Sequence, residues 1–187
     1  MKKLLVLLSV GFLVQTVSAQ KAFNFKAFWK GHAAEMIEIY RAEAMSDIVK
    51  DPTKYALIDI DQDGTPEIWL RNDNNEDGAI FTIGGDEITL VCAEDFKFHI
   101  SVSDGAVMTS GGAGTGAFYS AITLIEDSKM GKRIEKMDEY NIETEEMDSG
   151  YSIDGDDVSE AEGKPYFDRF TAQDFSKIKW TKLPKTK

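Results

Sequence analysis

The feature that most constrains the fold is a series of short apolar runs between positions 55 and 125, each closed by turn residues. Pairs such as Asp63-Gly64 and Asp104-Gly105 separate runs that are rich in β-branched and aromatic side chains, which is typical of strands and tight turns. No helical segment alternates with these runs, so the pattern favours an antiparallel meander over a parallel sheet. The predicted strands are Tyr55–Ile60, Glu67–Arg71, Ala79–Ile83, Glu87–Cys92, Phe96–Val102, Ala106–Thr109 and Ala117–Ile125.

A helix is predicted over residues 24–50, ahead of the strands. Trp29, Ala33 and Tyr40 belong to an apolar stripe with a spacing of three to four residues. Asn24 is a candidate N-cap, and Asp51-Pro52 ends the helix because a residue before proline avoids the helical region. The sequence therefore predicts an α+β fold, in which an N-terminal helix packs on a curved antiparallel β-meander.

The later part of the chain continues the pattern. Gly111–Gly116 precedes a β-like run and is interpreted as a loop or bulge, since it lacks the Gly-Lys-Ser/Thr ending of a phosphate loop. Tyr151–Ile153 and the Asp154-Gly155 pair predict another strand and turn, and Val158–Glu162 predicts a short helical turn. The acidic stretch between Glu126 and Glu162 is interpreted as a solvated face.

Residues 1–19 have the composition of an export signal. Lys2 and Lys3 precede an apolar run from Leu4 to Val14, and Val17-Ser18-Ala19 has the small-x-small pattern of a cleavage site. The apolar run is shorter than the roughly 20 residues that a membrane span requires. We expect residues 20–187 to form a single mature domain that is periplasmic or secreted and has no membrane span after signal removal.

The charge balance limits the class of partner. The chain has 33 acidic and 21 basic residues, a formal net charge of -12, and loss of the signal would change it to -14 over 168 residues. Binding to nucleic acid requires an excess of Lys and Arg against the phosphates, so the composition argues against it. Cys92 is the only cysteine, which excludes an intramolecular disulfide and leaves the core or a bound ion to stabilise the domain.

The most specific motif spans residues 59–67 and has the pattern D-x-D-x-D-G-x-x-E. Alternating carboxylates in a tight loop turn toward one centre, and Gly64 permits the sharp turn that directs the next carbonyl inward. Six to eight hard oxygen ligands suit calcium, whereas magnesium requires stricter octahedral geometry. The predicted calcium ligands are the side chains of Asp59, Asp61, Asp63 and Glu67 and the carbonyl of Thr65.

The motif is distinct from an EF-hand. An EF-hand has a bidentate Glu at loop position twelve, where this chain has Leu70. Pro66 and a strand-like run also follow the glycine in place of a helix. The loop is therefore predicted to connect two strands, and the alternative to a metal site is a hairpin turn rich in Asp.

The resemblance of this loop to known calcium loops supports calcium as the bound ion. Residues 55–68, YALIDIDQDGTPEI, resemble the YALxDIDGDGxPEL segment of secreted bacterial proteins of uncharacterised function. The loop is also similar to the D-x-D-x-D-G-x-x-D repeats of FG-GAP and integrin-type β-propellers. The resemblance implies the ligand set given above and no established catalytic activity. Two further oxygen-rich stretches, Asp73–Asp77 and Asp154–Asp157, leave a second ion open.

These observations leave two classes of function. The first is an exported, calcium-stabilised binding module without catalysis, whose partner is a protein or glycan outside the cytoplasm. The alternative is a secreted hydrolase or enzyme inhibitor that uses a groove on the sheet. An enzyme predicts a pocket with converging titratable groups of shifted pKa, whereas a binding module predicts an exposed apolar patch or sheet edge.

Overall fold

The computed structural model describes residues 23–43, 51–72, 78–85, 87–93 and 97–185. The predicted signal at residues 1–19, the mature start at Gln20 and the end of the predicted helix at 44–50 lie outside these residues. Within them the chain forms two helices and eleven strands: α1 (Phe25–Glu43), β1 (Lys54–Ile58), β2 (Glu67–Arg71), β3 (Gly78–Gly84), β4 (Glu87–Ala93), β5 (Lys97–Ser101), β6 (Ala106–Gly114), β7 (Ala117–Glu126), β8 (Lys129–Asn141), β9 (Glu146–Ile153), β10 (Asp156–Val158), α2 (Glu160–Arg169) and β11 (Thr181–Lys182).

Helix α1 forms where the apolar stripe predicts it. The side chain of Asn24 accepts a hydrogen bond from the backbone N–H of Ala27 at 3.2 Å, which confirms its role as N-cap. The stripe is buried, with Trp29 2% and Tyr40 2% exposed. Arg41 in the last turn donates to Asp51 at 2.7 and 2.8 Å and so ties the helix to the residues before β1.

The strands confirm the α+β class and divide the meander into two antiparallel sheets. The first sheet has the order β11-β1-β2-β3-β4, and the second has the order β10-β9-β8-β7-β6-β5. Strands that follow one another in sequence are neighbours, except that β11 returns from the end of the chain to pair with β1. The first sheet lies between α1 and the second sheet, so both of its faces are covered.

Alternation along the strands assigns each side chain of the first sheet to one face. Ile68, Leu70 and Phe81 pack against α1 and are completely buried. Their neighbours Trp69 and Ile80 point the other way, into a second core cluster that also contains residues of the second sheet. This second cluster consists of Ala56, Ile60, Trp69, Ile80, Val91, Cys92, Ile100, Val107 and Ile125.

The C-terminal segment closes this second core cluster. Phe175, Ile178 and Trp180 pack against it, and the rings of Trp69 and Trp180 lie 4.8 Å apart. Beyond β11, Leu183 donates its backbone N–H to Thr53 O at 2.9 Å. The indole N–H of Trp29 donates to the carbonyl of Pro184 at 3.1 Å, so the end of the described chain also contacts α1.

Helix α2 covers the outer face of the second sheet. The predicted short turn at Val158–Glu162 is wrong in extent, because the helix runs to Arg169 and passes through Pro165. Its N-cap is Ser159, whose backbone N–H donates to the Glu162 carboxylate at 3.1 Å. Packing extends the helix beyond its sequence signal, since Phe167 lies 6.1 Å from the Tyr151 ring of β9.

Candidate metal centre

The D-x-D-x-D-G loop connects β1 to β2 and bends around its own carboxylates. Asp59 accepts a hydrogen bond from Gly64 N at 3.1 Å, and Asp61 accepts one from Asp63 N at 3.2 Å. Gly64 has a φ of 92°, in the left-handed region that glycine adopts without strain. The side chain of Ile60 is fully buried and anchors the loop in the second core cluster. The predicted connection between two strands is confirmed.

Three of the five predicted ligands converge. Asp59, Asp61 and Glu67 each contribute one carboxylate oxygen, and these three atoms lie within 4.8 Å of one another, so the group could hold a metal ion. The Oδ1 atom of Asp59 is buried without a hydrogen-bond partner among the described residues. A buried carboxylate oxygen that nothing satisfies is unfavourable, and a cation would satisfy it.

Glu67 contributes the most buried charge of the cluster. Its side chain is 1% exposed, and it accepts hydrogen bonds from Ile60 N at 2.7 Å and from the Thr82 hydroxyl at 3.3 Å. Burial, together with the nearby charges of Asp61 and Asp63, raises the pKa of Glu67 from 4.5 to about 7. A proton on Glu67 or a cation beside it would relieve this burial and repulsion.

Within the described part of the chain, no lysine or arginine forms an ion pair with Asp59, Asp61 or Glu67. Like charges held this close repel one another unless a proton or a cation neutralises them. The donor set contains only oxygen, which is the chemistry of hard divalent cations. The residues present thus fit a metal ion of that class.

The loop also joins the two sheets. Ser128, in the turn between β7 and β8, donates its backbone N–H to Asp61 at 2.9 Å and its hydroxyl to Asp63 at 2.6 Å. The Gln62 side chain donates to Val102 O at 2.8 Å. Asp63 is therefore engaged with the second sheet and lies outside the three-carboxylate cluster. That Asp63 and Thr65 complete the ligand shell stays a prediction.

Ser128 is a site residue that sequence reasoning missed. Asp127 and Ser128 have φ values of 52° and 55°, so they form the two central residues of a hairpin turn with left-handed backbone. Turns of this kind usually contain Asn-Gly or Asp-Gly, and Asp-Ser gives a weaker signal. A serine that is 65 residues from Asp63 in sequence carries no pattern that would link the two.

The other candidate sites have different outcomes. Asp154 accepts a hydrogen bond from Arg133 N at 2.8 Å and so stabilises the β9–β10 turn. Asp73–Asp77 lies outside the described residues. The glycine-rich segment forms the end of β6 with an irregular register between Gly112 and Gly114, which confirms the bulge interpretation. Cys92 is buried, as the apolar run around it predicts.

A second polar cluster lies between the sheets. Arg133 donates to Glu135 at 3.0 Å and to the Tyr119 hydroxyl at 2.8 Å, and Tyr119 donates to Glu135. These hydrogen bonds hold the pKa of Glu135 below its usual value, whereas burial raises that of Tyr119. Arg133 and Tyr119 line a cavity of about 400 Å³ beside Cys92 and Thr109.

Comparisons with protein-family models, with curated proteins and with solved structures found no match for this chain. Of the helices that the structure describes, none combines the length and apolar character required to cross a membrane. The function is therefore argued from the geometry of the site.

Proposed function

We propose that this protein is an exported, calcium-stabilised interaction module with no catalytic role, and that its partner is a protein or glycan in the periplasm or outside the cell. One observation carries the proposal: Asp59, Asp61 and Glu67 converge in the loop whose hydrogen bonds link the two sheets. An ion at this position would act on the packing of the whole domain.

Calcium suits the cluster better than magnesium does. Calcium–oxygen distances of about 2.3–2.6 Å place opposite ligands around one ion up to about 5 Å apart. The three oxygens lie within 4.8 Å of one another, which one such ion can accommodate. Magnesium requires near-ideal octahedral geometry and retains several waters, so a loop that offers several protein oxygens suits it less. The loop pattern and its resemblance to calcium loops support the same ion.

The expected effect of the ion is a gain in stability. It would neutralise the repulsion among the three carboxylates and keep the Asp61–Ser128 contact between the sheets in place. A ligand that binds only the folded state at about 10 times its Kd stabilises that state by about 1.4 kcal/mol. Calcium sites of extracellular modules have Kd values of about 10⁻⁴–10⁻³ M, so millimolar calcium is the relevant range.

The test is a melting curve in calcium, in magnesium and in chelator. We expect calcium to raise the Tm and magnesium to have a smaller effect. Asp59→Asn should abolish the calcium response, because it removes one ligand charge and keeps the acceptor for Gly64 N. The matched control is Asp154→Asn, which alters an acid that also accepts a backbone hydrogen bond in a turn outside the cluster. Equal melting of the wild type in calcium and in chelator would refute the proposal.

Export has a separate test. Intact-mass analysis of protein from an exporting host should give a chain that begins at Gln20, because Val17-Ser18-Ala19 forms the predicted cleavage site. A mass that includes Met1 would contradict the export prediction and leave the calcium prediction unaffected.

The alternative function, a hydrolase or inhibitor with a groove on the sheet, has one observation in its favour. The cavity beside Arg133 and Tyr119 is close to Glu135, and the pKa values of Tyr119 and Glu135 are shifted as they are in many active sites. Turnover of chromogenic ester or glycoside substrates that is lost in Tyr119→Phe would favour this alternative. If the protein is an interaction module, neither the wild type nor Tyr119→Phe should show such turnover.

A further inference from the structure

Four exposed apolar side chains lie together at the far end of the β7–β8–β9 ribbon. They form what we call the tip patch, and their exposed fractions are 58%, 48%, 83% and 47% for Phe118, Tyr140, Ile142 and Met147. Tyr140 is paired with Met147 across β8 and β9, and its backbone N–H donates to Gly116 O at 2.9 Å. Phe118 is paired with Asp138, two residues before Tyr140, so the two rings project from the same face.

This face of the second sheet is covered at one end and open at the other. Near β10 it contacts α2, and Tyr151 there is 8% exposed. Met147 precedes Tyr151 by four residues on the same strand, so it has the same orientation about 13 Å away. No described residue covers the sheet at that point. Gly112, which is paired with Phe118, has no atom within 4 Å of where its Cβ would lie, so the surface beside the ring is open.

The grouping of these side chains indicates a binding surface. Apolar residues scattered singly over a surface are ordinary, but a contiguous exposed group marks an interaction site. Among the described residues the large exposed hydrophobic side chains number six, and four of them belong to the tip patch. The other two lie apart from the patch. Leu57 is on β1, and Met130 is at the opposite end of β8.

The charge around the patch indicates the chemistry of the partner. From Asp138 to Asp148 the sequence contains six acidic residues and no basic one. Asp138 forms an ion pair with Lys136 at 2.8 Å, and Asp148 accepts a hydrogen bond from Asn141 at 3.0 Å. Glu143 and Glu145 lie exposed in the turn that joins β8 to β9 beside the patch, whereas alternation directs the exposed side chains of Glu139 and Glu146 to the opposite face of the ribbon. A second copy of this chain or an anionic membrane would bring like charges together at this surface.

We propose that the tip patch docks a cationic amphipathic polypeptide, whose aromatic or aliphatic side chains contact Phe118 and Tyr140 and whose Lys and Arg residues face the carboxylates of Glu143 and Glu145 in the adjoining turn. The inference rests on the proposed function as an interaction module and names its partner class. Contact between apolar groups supplies affinity, and the acidic border supplies attraction and orientation.

The experiment uses defined peptides and the full mature domain. Fluorescence anisotropy or calorimetry is measured with a peptide of about 12 residues in which Lys alternates with Leu and Phe, and with two control peptides that contain Lys with Ser or Glu with Leu. We expect only the first peptide to bind tightly, with affinity that falls as salt rises from about 50 to 500 mM. The double variant Phe118→Ser/Tyr140→Ser should weaken binding by about tenfold or more.

The matched control is Met130→Ser, which removes an equally exposed side chain of the same strand outside the patch. It should leave peptide binding unchanged. Equal binding of the Lys–Ser and Lys–Leu/Phe peptides would overturn the proposal, because the contact would then depend on charge alone. Unchanged binding in the double variant would also overturn it. So would a dimer that sedimentation detects in the wild type and that the double variant abolishes, since a second copy would then occupy the patch.

Calcium-dependent melting of the same proteins separates this inference from the proposed function. The double variant lies far from the carboxylate cluster, so its calcium response should equal that of the wild type. If the wild type responds to calcium but does not bind the peptide, the docking inference alone is overturned. Peptide binding without any calcium response overturns the calcium-stabilised function alone.

Discussion

The first sheet and the far end of the second sheet contain similar strands in opposite surroundings. In β3 the first six of seven residues are buried, because α1 covers one face and the second sheet covers the other. In β9 the first five residues are exposed, and burial begins at Tyr151 where α2 reaches the strand. A strand covered on both faces must be apolar on both, whereas an uncovered strand carries no such requirement. The difference separates a region whose packing supplies stability from one whose side chains remain exposed.

The prediction with the largest expected effect compares a buried phenylalanine with an exposed one. Phe81→Ala should lower the free energy of unfolding by about 3–5 kcal/mol, because the ring is fully buried beneath α1. Phe118→Ala should change it by less than about 0.5 kcal/mol, because that ring is 58% exposed at the tip. Urea unfolding of both variants gives the comparison. Similar losses in the two would contradict the division into a core and a binding end.

A second test concerns the pH dependence that Glu67 introduces at the junction of the sheets. Its pKa is about 7 in the folded protein and 4.5 as an ordinary glutamate, so the folded state holds more protons between these values. Stability of the metal-free protein should therefore fall as pH rises from 5 to 8. At about 1.4 kcal/mol per unit of pKa, the loss is about 3 kcal/mol.

Unfolding in chelator at the two pH values measures this loss. The control Glu67→Gln keeps the acceptor for Ile60 N and removes the ionisation. Its free energy of unfolding should therefore lack the loss of about 3 kcal/mol between pH 5 and pH 8. Added calcium should restore the wild type at pH 8, because a cation favours the ionised carboxylate. Identical pH dependence in the wild type and in Glu67→Gln would refute the role of this group.

A third test compares two glycines of the region around β9. A Cβ on Gly163 of α2 would lie 2.6 Å from atoms of the Tyr151 side chain, so Gly163→Ala should destabilise the domain by about 1–3 kcal/mol. Gly150 has no atom within 4 Å of its Cβ position, and Gly150→Ala should be close to neutral. Thermal unfolding measures both. A neutral Gly163→Ala would show that α2 is not closely packed on the sheet.

The smallest effect concerns two serine–aspartate hydrogen bonds. Ser128 is 6% exposed and donates to Asp63 at 2.6 Å between the sheets, so Ser128→Ala should cost about 1 kcal/mol. Ser149 donates to Asp138 near the exposed tip, and Ser149→Ala should have little effect. Chemical unfolding resolves the difference if both variants are measured in chelator. An equal or larger loss in Ser149→Ala would contradict the comparison between the two regions.

Local sequence patterns predict much of this fold, because apolar spacing, capping and turn residues determine where its helix and strands form. The stripe through Trp29 and Tyr40 and the cap at Asn24 predict α1, and the turn pairs predict most strands. The loop motif likewise brings Asp59, Asp61 and Glu67 together, because ligands that are close in sequence need only one tight turn to converge.

Long-range packing decided what the sequence did not predict. The division of the meander into two sheets depends on which strand faces pack against α1 and which pack against the other sheet. The sequence of a single strand does not determine this packing. Helix α2 extends past Pro165 because Phe167 packs on Tyr151, a contact that lies outside the local signal. Ser128 joins the candidate site through a turn 65 residues from Asp63, where spacing along the chain carries no information.

The pairing of β11 with β1 has a consequence for the order of events during synthesis. Tyr55 and Thr181 are register partners, and the Trp29 indole contacts Pro184, which is 155 residues away. Contacts between such distant positions form late, because the intervening chain must first be made and ordered. Until the ribosome has released residues 181–184, strand β1 has an open edge and Trp29 lacks its acceptor. The nascent chain therefore completes its first sheet only after residues 181–184 have been made, although β1 to β4 lie more than 80 residues earlier.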